Sequence, residues 1–105
     1  MSWLYLIFAG LMEIGWPWGL KLSQTPEQRL LGLTIAIVCM IVSGVFLWLA
    51  QKTIPMGTAY AVWTGIGAAG TFLLGIALYG EPALPLRLLA VTMIVGGVVL
   101  LKLAH

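Results

Sequence analysis

Charge is scarce in this chain. Only 8% of its 105 residues are Asp, Glu, Lys or Arg, while 62% are hydrophobic. A soluble protein of this size does not carry so little polar surface, so the composition points to a membrane protein. Five basic residues against three acidic ones leave a net charge of +2, too weak a field to recruit nucleic acid. The single cysteine, Cys39, lies inside an apolar run. That excludes a disulfide framework within the chain and reads as a small buried hydrophobe. The single histidine, His105, is terminal and reads as a solvated end. No nucleophile–base pair, metal-ligand cluster or phosphate loop is present, so neither an enzyme nor a metal or cofactor site is expected. The first apolar run has no basic region before it and no small-residue cleavage site after it. It is read as a retained span, not a signal peptide.

Four apolar segments fill the chain, at approximately 3–22, 30–50, 57–79 and 86–101. Most approach the roughly 20 residues that a helix needs to cross the hydrocarbon. The fourth is the shortest and is expected to reach the interface through a snorkelling Lys102. The connectors "SQTPEQR", "QKTIPM" and "GEPALP" each carry proline, which punctuates helix ends where its missing N–H does least harm. An open sheet edge cannot sit in lipid, and no alternating pattern suggests a barrel. The expected fold is therefore an all-α integral membrane protein with four transmembrane helices in one domain.

Function then has to lie within the spans, and one ionisable residue lies deep inside them. Glu13 stands in "AGLMEIGWPWGLK", residues 9–21. A charge at mid-membrane costs about 2.5–3.5 kcal/mol on insertion scales, so a site role is the default reading. No lysine or arginine lies at matching depth, and a desolvated carboxylate without a counter-ion takes up a proton or a cation. At about 100° per residue, Gly10, Trp16 and Pro17 share the Glu13 face while Trp18 points away. Gly10 is expected to open space below the carboxylate, and Trp16 to wall it above. Pro17 removes the hydrogen bond that would end on the Glu13 carbonyl. Ser43 is the one hydroxyl near mid-depth of the second span, suited either to the site or to bonding back to its own helix.

The third span, "GTAYAVWTGIGAAGTFLLG", places Tyr60, Trp63, Thr64, Gly67 and Thr71 on one stripe. This polar and aromatic face is a second candidate wall. Its "GIGAAG" (Gly65, Gly67, Gly70) mimics a dinucleotide fingerprint but lacks the preceding strand. In a membrane helix these glycines serve close packing or a hinge. On the fourth span, Ala90 and Gly97 share a small-residue face assigned to dimerisation. Four helices make a thin wall around a solvated pathway, whereas two copies supply eight helices and two glutamates. Two carboxylates in one pocket strengthen the hold on a proton or a cation, so the two ligands compete. Lys21, Arg29 and Arg87 fall on one side of the membrane, with Lys52, Lys102 and the N-terminal amine on the other. This near balance leaves the positive-inside rule almost no preference, so opposed copies can form an inverted pair.

Glu13 with its downstream "GLK", the run "PMGTAYAVWTGIGAAG" from Pro55 to Gly70, "GEPALPLRL" and "GGVVLLKL" resemble the small multidrug resistance family over essentially the whole chain. Trp16, Ser43 and "WTGIGA" resemble its guanidinium exporter subtype more than its polyaromatic-cation pumps. The resemblance implies an antiparallel, dual-topology homodimer in a bacterial inner membrane. It implies exchange of protons for guanidinium-type cations at a shared glutamate. It also implies a pocket lined by the residues matching Trp16, Ser43, Tyr60 and Trp63. Pro17–Trp18 departs from the small or aliphatic residues that the family carries there. A broad quaternary-ammonium antiporter, an ion channel and a non-transporting accessory membrane subunit are the competing readings.

Overall fold

Three prolines stand at the heads of helical segments, where a residue without an N–H leaves no donor unsatisfied. Pro26 opens a single 3-10 turn, Pro26–Gln28, Pro55 immediately precedes a helix, and Pro85 is the first residue of another. The computed structural model describes residues 1–104, and His105 lies outside the described residues. Its helices are α1 (Ser2–Leu22), α2 (Arg29–Ala50), α3 (Met56–Tyr79) and α4 (Pro85–Ala104). Gly80 closes α3 in the left-handed region at φ 63°, a conformation that suits a residue without Cβ.

The segments beginning at Pro26, Met56 and Pro85 are each long and apolar enough to cross a membrane. α1 is long enough, its 21 residues reaching about 31 Å against a hydrocarbon core of about 30 Å. With Glu13 and three tryptophans it is lower in hydropathy than the others, so three of the four expected spans meet both length and composition. The fourth helix is longer than its apolar run suggests. It has 20 residues and ends at Ala104, so Lys102 sits within its last turn.

α1 packs most extensively on α2, next on α3, while α4 packs on α3. The α1–α2 contact is a seam of small residues. A Cβ on Gly19 would lie 2.6 Å from the Gly32 carbonyl oxygen, and one on Gly32 would lie 2.5 Å from the Gly19 carbonyl oxygen. Gly15 faces Cys39 in the same seam, and Ala9, Ala36, Ser43 and Ala50 are buried. Backbones can approach this closely only where side chains are absent or very small, and that approach maximises dispersion contacts in lipid. Near the N-terminal end of α1, Leu6, Ala50, Ile54, Ala59 and Val62 form the one larger apolar cluster. Ser2 and Thr53 hydrogen-bond through their hydroxyls at the same end.

On α3, Gly67 and Gly70 lie against Glu13 and Ile14 of α1, and Gly65 lies against Val98 of α4. All three glycines expected to serve packing are therefore at helix contacts. α4 is the least covered helix: Val98 and Leu101 pack against the apolar cluster, but none of its residues is buried, and Ala90 and Gly97 are exposed. The Cα trace measures 44 × 34 × 17 Å. The protomer is thus flattened into a slab along one axis.

Candidate cation-binding site

α1 and α3 run in the same direction, and Gly67 is the point where they meet beside Glu13. A Cβ at Gly67 would stand 2.6 Å from Glu13 Cγ, so the glycine makes room for the glutamate side chain. The carboxyl end turns into a cavity of about 420 Å³ lined by Glu13, Trp16, Pro17, Tyr60, Trp63, Thr64, Gly67, Ala68 and Thr71. The whole α3 stripe expected from the periodicity lines this one space, opposite Trp16 and Pro17 of α1. Glu13 Oε2 is buried and has no hydrogen-bond partner among the described residues. The one ion pair among those residues joins Arg87 to Glu81 at 3.9 Å, beyond the C-terminal end of α3. A carboxylate oxygen left unmatched between aromatic walls can take a proton or the N–H of a cation.

Ser43 departs from its expected place. Its hydroxyl neither reaches Glu13 nor bonds back to α2. It donates to the Ala9 carbonyl oxygen at 2.7 Å and accepts from the Trp63 indole Nε1 at 2.8 Å. The serine is fully buried and is absent from the cavity wall. Its contact with Trp63 fixes the edge of that ring, and its contact with Ala9 ties α2 to the helix that carries Glu13. Tyr60 stacks at a tilt on Trp63, with ring centroids 5.4 Å apart, and is itself 56% exposed. The cavity therefore lacks an outer wall within one chain.

Gly10 also differs from expectation. Ile66 of α3 fills the space it leaves, 2.7 Å from where a Cβ would be, so Gly10 supports close packing and does not line the cavity. Trp18 does turn away from the Glu13 cavity, and contributes to a neighbouring one of about 260 Å³ with Lys21, Phe72, Tyr79 and Glu81. Pro17 and Thr71 border both spaces. α1 remains one helix through Pro17.

A family model described as Small Multidrug Resistance protein matches residues 1–103 of this chain. The chain belongs to that family. Small multidrug resistance relatives include a protein of Citrobacter freundii named guanidinium exporter, 51% identical over 99% of this chain and 98% of its own length. Proteins of the same name from Salmonella typhimurium strain LT2 and Escherichia coli strain K12 are each 49% identical over the same shares. These relatives are named as exporters and not as enzymes, and the region matched by the family model contains every residue of the Glu13 cavity.

Proposed function

We propose that this protein is a secondary antiporter that exports guanidinium and small guanidinyl cations in exchange for protons, with both ligands competing for Glu13. The observation that carries the reading is the unmatched Glu13 oxygen in a cavity walled by Trp16, Tyr60 and Trp63. A guanidinium presents planar N–H donors that match a carboxylate in two parallel bonds. Trp16 and Trp63 add ring faces, contributing about 1–2 kcal/mol each to a desolvated cation. A tetra-alkylammonium ion has no N–H and would leave the acceptors unmatched in a dry site. The names of the relatives support the same substrate class.

The working unit is an antiparallel homodimer. A slab 17 Å deep with a half-exposed Tyr60 leaves the site open on one side, and a second copy supplies the missing wall and a second glutamate. The exposed Ala90 and Gly97 of α4 form the contact between copies, in a bacterial inner membrane. Alternation follows if the shared pocket opens to one side at a time and proton binding to the glutamates expels the cation.

The test is transport by the purified protein in liposomes under a pH gradient. Guanidinium and methylguanidinium should give robust currents, and tetrapropylammonium less than a tenth of them. Equal currents for tetrapropylammonium would move the assignment to a multidrug antiporter. No proton-driven flux of any cation would leave an accessory subunit.

A further inference from the structure

Away from the Glu13 cavity, α1, α3 and α4 diverge around a second large space. It measures about 360 Å³ and is lined by Trp3 and Ile7 of α1, Val62 and Ile66 of α3, and Val98, Val99, Lys102 and Leu103 of α4. In the liquid, that volume would hold about a dozen water molecules, but a water needs polar partners and a purely apolar cavity stays dry. Among the residues around it only the Lys102 ammonium and the Trp3 indole N–H are polar, and Lys102 stands in the last turn of α4, where that helix leaves the membrane. Its ammonium lies over the Trp3 ring, 5.0 Å from the centroid, and no carboxylate of the described residues pairs with it. A hydrocarbon-lined groove with an ammonium and an indole at its mouth matches one occupant on both counts. The acyl chain of a phospholipid satisfies the walls, and an anionic headgroup satisfies Lys102.

We infer that this groove is a binding site for an anionic phospholipid, with one acyl chain between α1, α3 and α4 and its phosphate against Lys102. The groove lies on the opposite face of α3 from the cation stripe: Val62 and Ile66 line it, while Trp63 and Gly67 line the cation cavity. The chain would also fill the gap that leaves α4 with no buried residue. This inference rests on the membrane location and the groove, and it stands independently of which cation is transported.

The experiment is native mass spectrometry of the full-length protein titrated with phosphatidylglycerol or phosphatidylcholine of identical chains. The wild type should retain phosphatidylglycerol about fivefold better, the weight of one basic residue near an anionic surface. Lys102→Gln should bring the two lipids level, and Val99→Trp, which fills the groove, should release both. Ile7→Trp, on the facing wall, serves the same purpose if the Val99 variant does not fold. Equal retention of both lipids by the wild type would overturn the proposal. So would unchanged retention in the groove-filling variant. If Val99→Trp shifts the protein between monomer and dimer while lipid retention stays constant, a second copy covers the groove instead.

Discussion

Ser43 offers the sharpest perturbation, because its buried hydroxyl joins three helices. Ser43→Ala removes the bond to the Ala9 carbonyl at 2.7 Å and the bond from the Trp63 indole at 2.8 Å. Each is worth about 0.5–1.5 kcal/mol net, and an indole N–H left without an acceptor adds about 1–3 kcal/mol. Trp63 borders the cavity and can turn its N–H toward water, so the expected loss is about 2–4 kcal/mol, short of the full sum. In a Trp63→Phe background no indole N–H remains to be orphaned. There the same serine change should take away only the Ala9 bond, about 1 kcal/mol. The coupling between the two positions is then about 1–3 kcal/mol, well above the 0.3–0.5 kcal/mol within which independent sites add. Reversible unfolding of the four proteins in mixed micelles measures it. Guanidinium binding by Ser43→Ala should weaken about five- to thirtyfold as the Trp63 ring loses its fixed orientation, the equivalent of one cation–π contact. Additive unfolding energies would refute the bridging role, whatever the single variants do.

Glu13→Gln keeps the side-chain shape but removes the anion, so pH-driven exchange in liposomes should disappear while the helix content by circular dichroism stays the same. Glu13→Asp should retain reduced exchange with an altered pH profile, because the carboxyl is withdrawn by one methylene. Gly32→Ala drives a methyl onto the Gly19 carbonyl and should destabilise the protein by about 1–3 kcal/mol. Gly44→Ala, whose Cβ would meet nothing within 4 Å, should instead stabilise α2 by up to about 1 kcal/mol through helix propensity. Two lysines added to the 51–56 connector should drive most chains into one orientation, read by cysteine accessibility from each side, and activity should fall. Activity should return when a partner biased the other way is co-expressed. Full activity from a uniformly oriented population would rule out the inverted pair.

The lining of the Glu13 cavity was legible because its signals are local. One carboxylate in an apolar run stands out in any membrane sequence, and the Tyr60–Thr71 stripe follows from helical periodicity alone. The α1–α2 seam was written in the same periodicity. Gly32, Ala36, Cys39, Ser43 and Ala50 recur on one face of α2, yet among so many apolar residues small size attracts less notice than charge. The partners of Ser43 were not legible, since they depend on which residues of α1 and α3 come level with it across two interhelical contacts. Gly10 shows the same limit. A missing side chain marks a close approach, but the sequence does not say whether a ligand or, as here, Ile66 makes it.

The two ends of the molecule are finished in the same way. At one, Lys52 lies 4.6 Å from the Trp48 ring centroid and Lys102 lies 5.0 Å from that of Trp3. At the other, Lys21 lies 5.5 Å from the Tyr79 centroid and the Arg87 guanidinium 4.8 Å from that of Phe72. Each end thus carries two cations laid on aromatic rings, the anchors that set the depth at which a helix bundle floats in lipid. Turned over, the slab would meet each leaflet with the same kind of collar and the same apolar height between. With such anchors at both ends, interfacial anchoring gives neither leaflet a stronger claim on one end than on the other.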